Sequence, residues 1–242
     1  RIAFSKLLEG LTEENALLLR EQLVHLSDNS VEWKEFNYAW GAIGGLKVVE
    51  FGAESKKMDR AAALSGWASA DPQAALAWMN SLSEDEQNRK DLKWGAVYGM
   101  ANTDPSIAAA YVMQRQEAGD KQAEHMMNLV AKALMKTTDP SQAASWASNL
   151  PEGKLRSAAV TQVAHEYAEK EPGKAVAWLD SLSDSNEKSK GMYMAYSTWA
   201  RSDAEAAGKR LDAMRDSPAR DSAIDGFSRR IVYQDPRSAV EW

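Results

Sequence analysis

The 242 residues include no cysteine, which excludes disulfides and thiolate metal sites within this chain and leaves the redox compartment open. No apolar run approaches the roughly 20 residues of a membrane span, so no membrane insertion is expected within this stretch. Basic residues are scattered singly or in pairs such as Lys56-Lys57 and Arg229-Arg230, and the net charge is −6. Without a concentrated positive stripe, a nucleic-acid partner is not expected. The three histidines, His25, His125 and His165, lie far apart, so no HExxH helix exists. Phosphate-cradling glycine loops and a GxSxG elbow are missing, and Gly44-Gly45 reads as a turn. Together these absences assign no catalytic residue, metal site or cofactor to this chain.

What is present is a repeat. Asp71-Pro72, Asp104-Pro105, Asp139-Pro140, Glu171-Pro172 and Asp235-Pro236 each follow a helical run and open another, and Asp203-Ala204 fills the remaining place. The intervals between these acids are 33, 35, 32, 32 and 32 residues. Four residues before each acid stands a bulky apolar side chain: Trp67, Met100, Met135, Tyr167, Trp199 and Ile231. Four after it stands Ala75, Ala108, Ala143, Ala175, Ala207 or Ala239, and seven after it Trp78, Tyr111, Trp146, Trp178, Arg210 or Trp242. A fixed period near 33 with conserved positions marks a repeat array.

An acid followed by proline is a corner between two helices. The carboxylate caps orphan N–H groups at the positive end of the helix dipole. Proline at the first helical position loses nothing, and it forces the residue before it out of the helical region. Each repeat is therefore a hairpin of helix A, before the corner, and helix B, after it. Ala175, Trp178 and Leu182 share one face of helix B, and Val160, Val163 or Ala164 and Tyr167 form the facing stripe of helix A. The aromatic ladder is expected to fill the core.

Along the chain, Ile2 to Leu8 reads as a short helix ended by Gly10. Thr12 reads as the N-cap of a second helix that runs through Leu17 to Leu26, and Val31 to Ile43 forms a third. Gly44-Gly45 replaces the acid–proline corner, with Trp40 before it and Phe51 after it. From residue 57 the expected pairs are A 57–69 and B 72–82, A 86–102 and B 105–117, A 120–136 and B 140–150. A 154–169 and B 172–182, A 187–201 and B 203–215, then A 219–233 and B from 236 complete the set. The expected fold is all-α, a right-handed α-α superhelix or solenoid of six to seven hairpins. Residues 1–56 would form capping helices and a degenerate first repeat, and 57–242 one continuous run of regular repeats. Arg1 is not an initiator and Trp242 stops inside a helix B, so the chain reads as part of a longer protein.

One further stripe varies in chemistry. Ten and six residues before the corner stand Trp94 and Tyr98, Thr161 and His165, Tyr193 and Ser197, Asp225 and Arg229. Each pair is one turn apart on helix A, beside the core face. Trp94, Tyr98, His165 and Tyr193 are the candidate binding residues, expected on a concave surface; packing against the next repeat is the alternative.

Glu171-Pro-Gly-Lys174-Ala175-Val-Ala-Trp178 resembles the second helix of the SEL1-like repeat, D-x-x-K-A-x-x-W, a relative of the tetratricopeptide repeat. Lys174 is not repeated elsewhere, and the longer glycine-containing loop of SEL1-like units is absent. Length near 33 and the small/aromatic pair of helix B agree with tetratricopeptide units, but their helix-A motif is missing. The pattern W-A-x-x-D-P-x-x-A-x-x-W is also similar to tandem repeats of uncharacterised, often exported, bacterial proteins. The resemblance covers about residues 40–242. It implies a helical-repeat fold, a scaffold with a protein or peptide partner, and an exported or cell-envelope setting. It transfers no catalytic residue. A non-catalytic region of a larger enzyme, such as one that cleaves cell-wall glycans, is the alternative.

Overall fold

A computed structural model describes residues 2–55 and 57–234. Among the described residues it is all-helical, with sixteen α-helices and no strand. They are α1 (Ile2–Glu9), α2 (Glu13–Leu23), α3 (Val31–Gly44), α4 (Leu46–Glu54), α5 (Arg60–Ala70), α6 (Pro72–Ser81), α7 (Glu84–Gln87) and α8 (Lys90–Thr103). The rest are α9 (Pro105–Glu117), α10 (Ala123–Thr137), α11 (Pro140–Asn149), α12 (Lys154–Lys170), α13 (Pro172–Ser181), α14 (Asn186–Ser202), α15 (Ala204–Asp212) and α16 (Pro218–Gln234). The expected corner Asp235-Pro236, with Ala239 and Trp242, lies outside the described residues, as does Lys56.

The corners work as two-sided devices. The backbone N–H of Asp71, Asp104, Glu171 and Asp203 donates to the carbonyl four residues back, at 2.7–2.8 Å, and so closes the first helix. These four residues have φ from −135° to −154° and ψ from 71° to 86°. The Asp71 carboxylate then accepts from Ala74 N–H at 3.0 Å, Asp104 from Ser106 and Ile107, and Asp203 from Ala206 at 2.9 Å. Glu171 departs from the expectation: its side chain makes no cap bond. Its extra methylene carries the carboxylate past the helix end, where it pairs with Lys174 instead. Asp139, after the one interval of 35, sits at φ −65° and ψ 139° and still caps Ser141 N–H at 2.8 Å. The glycine corner uses Gly45 at φ +60°, a conformation suited to a residue without Cβ. Thr12 caps α2 as expected, and Asn15 completes a capping box with it.

The rows either side of the corner are buried as expected. Trp67, Met100, Met135, Tyr167, Trp199 and Ile231 are all at most 9% exposed, and Ala75, Ala108, Ala143, Ala175 and Ala207 are sealed. The row seven residues after the corner is a partial correction. Tyr111 is buried, but Trp78, Trp146 and Trp178 are only half-buried. The sealed position is the next one, eight after the corner: Met79, Val112, Ala147, Leu179 and Leu211. One helical step carries that residue into the A–B interface, and the larger indole lies over its edge. There the indoles clasp the helix-A aromatic, with ring centroids 5.7 Å apart for Trp67–Trp78 and 6.5 Å for Tyr167–Trp178. Trp40 and Phe51 make the same clasp, at 5.3 Å, across the glycine corner.

The chain divides into two compact units, residues 1–130 and 131–242. In the first, α5 packs against both α3 and α8, while α4 and α6 each touch their own first helix and that of the next hairpin. The helix axes come unusually close here. A Cβ added to Gly66 would sit 1.8 Å from the Tyr38 carbonyl oxygen, and one on Gly99 2.2 Å from that of Ser65. In the second unit α14 packs against α12 and α16, and α13 and α15 fill the same intermediate places. Trp178 Nε1–H donates to Ser148 Oγ at 3.0 Å, and Arg210, which replaces an aromatic, reaches Asp180. Both bonds run from the seventh residue after one corner to the ninth after the previous one.

Besides the first regular helix A, expected from 57 and starting at Arg60, two helix starts differ from expectation. The helix expected over 86–102 breaks at Asn88-Arg89 into α7 and α8, and the one expected from 120 starts at Ala123. A buried ionic cluster holds both breaks. Lys93 Nζ lies 2.7 Å from Asp120 Oδ2, and Arg115 Nη2 lies 3.5 Å from it. Arg115 also donates to Gln87 and Asn88. Burial alone would raise the Asp120 carboxyl, but hydrogen bonds from Lys93 and from Gln122 N–H, with the two cationic charges, hold it below the usual range.

Candidate functional site

In the first unit a largely apolar groove of about 750 Å³ runs across α3, α5 and α8. Its floor is α5, which presents only Ala61, Ala62 and Ser65. Small side chains and the glycine-mediated approach of the neighbouring helices keep that floor low. Its walls are Tyr38 from α3 and Trp94 and Tyr98 from α8. Leu8 and Leu129 also line it, and the charged residues Lys34, Glu35 and Asp59 stand on one side. Asp59 is committed locally, since its carboxylate caps Ala62 N–H at 2.9 Å.

The lining follows the repeat. Lys34 and Tyr38 stand ten and six residues before Gly44, Ala61 and Ser65 before Asp71, and Trp94 and Tyr98 before Asp104. Leu129 stands ten before Asp139. Trp94 and Tyr98 were therefore reached from sequence, whereas Tyr38 and Ser65 were not. The same offset applied to the glycine corner and to Asp71 finds them. Tyr98 is 50% exposed, and Trp94 and Tyr38 are half-buried. Ser65 is 3% exposed, and neither its Oγ nor Trp94 Nε1 has a hydrogen-bond partner among the described residues.

The other two candidate residues lie in the second unit. Tyr193 lines a smaller cleft of about 350 Å³, together with Thr161 and Asp225 from the same row. The Arg229 guanidinium stands 6.0 Å from the Tyr193 ring centroid and bonds Asp225 at 2.8 Å, and this bond holds Arg229 above its ordinary range. His165 lines neither cavity. Its Nδ1 shares a 2.9 Å hydrogen bond with Thr198 Oγ1, linking α12 to α14, and its Nε2 lies 3.9 Å from Glu169. Arg201 donates to Glu169 at 2.7 Å and holds that carboxyl below its usual range. The neighbouring Glu166 accepts from Gln162 at 3.0 Å. The structure thus brings Trp94 and Tyr98 together and places Tyr193 and His165 in different surroundings.

Among the described residues no group of three or more His, Asp or Glu is placed to hold a metal ion, and no helix is long and apolar enough to cross a membrane. Comparison with protein-family models, curated proteins and solved structures finds no match to this chain.

Proposed function

We propose that this chain is a non-catalytic scaffold that binds a protein or peptide through the exposed rows of its first helices. Its hairpins wind as a right-handed superhelix of the SEL1-like and tetratricopeptide kind, in six to seven repeats. The observation that carries the reading is the groove over α5, whose lining recurs at two offsets from the corner while its chemistry changes from repeat to repeat. Rows that pack a core keep one character, as the rows four before and four after the corner do. A row free of that demand is open to be shaped by a ligand. The aromatic side chains gathered there, Tyr38, Trp94 and Tyr98, belong to the class enriched at binding hot spots. The cavity falls in the range of ligand sites that are mainly apolar with a few polar groups.

The test is selection of a displayed random-peptide library on the immobilised 242-residue chain. Enriched peptides should bind the native chain and lose about tenfold or more in affinity to Tyr98→Ala, the truncation of an exposed anchor. The melting temperature of that variant should shift little, because Tyr98 lies at the surface. A library from which nothing is enriched, or peptides indifferent to Tyr98, would remove the groove as the binding site.

A further inference from the structure

Two polar atoms in the lining of the groove stand out. Ser65 Oγ and Trp94 Nε1 are both buried beyond the reach of water, and neither has a partner among the described residues. Buried polar atoms are ordinarily paired, and leaving one unpaired costs stability. The two lie on adjacent helices, α5 and α8, in the floor and wall of one cavity. Indole N–H is a donor only, and a serine hydroxyl can also donate. A group that satisfies both must offer acceptors.

Resting on the peptide-binding reading above, we infer that the groove takes an extended peptide segment, whose main-chain carbonyls accept from Ser65 Oγ–H and Trp94 Nε1–H. A bound helix would offer them only the carbonyls of its last turn, because the others are already spent within the helix. An extended chain has its carbonyls free, and alternate side chains point into and out of the groove. One large apolar side chain of that segment rests on Ala61 and Ala62 between Tyr38 and Trp94. A change between staggered positions at Ser65 χ1 turns its hydroxyl toward the bound chain, and the half-buried Trp94 ring turns with it. Of the charged groups beside the groove, Glu35 and Asp59 outnumber Lys34, so a basic residue flanks the apolar one in the segment preferred.

The peptides enriched by display on the native chain provide the probe, synthesised with a fluorescent label and titrated by anisotropy. Ser65→Ala removes only the hydroxyl. If the hydroxyl serves the ligand, this variant binds about tenfold more weakly, within the range of one lost hydrogen bond. Its melting temperature stays level or rises, because an unpaired buried oxygen has gone. A purely structural serine would not give that combination. Trp94→Phe, which keeps a ring and deletes the donor, should weaken binding in the same direction. Wild-type affinity in Ser65→Ala overturns the inference, as do enriched peptides with apolar residues at helical spacing of three and four; either result leaves the groove as a peptide site. A library that yields nothing removes the site itself and this inference with it.

Discussion

The same two rows of helix A carry opposite chemistry in the two units. In the first unit they are Lys34, Tyr38, Ala61, Ser65, Trp94, Tyr98 and Leu129, mostly uncharged and open along a groove. In the second they are Thr161, His165, Tyr193, Asp225 and Arg229, tied up among themselves or with buried neighbours such as Thr198. The repeat decides where a side chain points, because the corner sets the helix phase. It does not decide what that side chain does. The units differ below the surface as well. Close backbone approach at glycine is common to both, since Gly226 of α16 faces the Tyr193 carbonyl as Gly66 faces that of Tyr38, but among the described residues only in the first does a buried cluster of two cations and one carboxylate fix a loop. The second relies on bonds between successive second helices, such as Trp178 to Ser148.

The largest expected break in this comparison is Asp120→Ala. It leaves Lys93 and Arg115 buried without their carboxylate, and breaking a buried pair in this way costs about 3–5 kcal/mol. In the second unit, Arg201→Ala removes an exposed partner of Glu169 and should cost under about 1 kcal/mol. Hydrogen exchange read residue by residue separates the two. Acid should sharpen the contrast. Asp120 titrates lower in the folded chain than in the unfolded one, so its contribution is whole above about pH 4 and is lost as pH falls through the lowered value. In Asp120→Ala that acid-sensitive loss should vanish. Equal acid profiles for the variant and the native chain would remove the cluster from the account.

Gly66→Ala tests the close approach. Its Cβ meets backbone, which cannot rotate away, so the cost should reach roughly 3 kcal/mol, the upper end for overpacked sites. Gly173→Ala in α13 is the control: nothing lies within 4 Å of its added Cβ, and exchange of glycine for alanine in a helix gains up to about 1 kcal/mol. Melting curves that move together for the two substitutions would show that the α3–α5 backbones are not in close contact.

Much of this architecture is legible in the sequence, because it is local. An acid, a proline and an alanine four residues on state the corner and one face of helix B, and all of these lie within a few residues of one another. The burial of Trp67 and its five counterparts follows from helical spacing alone. The half-exposure of Trp78 and Trp178 does not, because positions seven and eight after the corner differ by a single rotation step that only packing settles. The Lys93–Asp120 bond spans 27 residues, and the glycines at 66 and 99 oppose backbone carbonyls, which have no sequence signature. Of the groove, Trp94 and Tyr98 were legible as chemically variable positions. Ser65 looked like any small residue in a helix, and its unpaired hydroxyl is a property of three dimensions.

The smallest effect concerns the corner that looks most regular in sequence. Glu171 ends α12 with the same backbone geometry as Asp71 ends α5, yet only the aspartate caps the helix that follows. The difference is one methylene. Glu171→Asp should place a carboxylate oxygen within reach of Lys174 N–H, as Asp71 reaches Ala74. The gain should be a few tenths to about 1 kcal/mol, the value of an N-cap bond at the low end of its range. The lost pairing with Lys174 offsets little of this, because that ammonium is exposed and pairs of this kind contribute weakly. Asp71→Glu is the mirror change in the first unit and should lose a similar amount. Thermal melts of the two variants measure this directly. If the second unit is unmoved by Glu171→Asp while the first is weakened by Asp71→Glu, the α13 start is limited by something other than its cap. If neither changes, the carboxylates at the corners matter for where the helices turn and not for how firmly they hold.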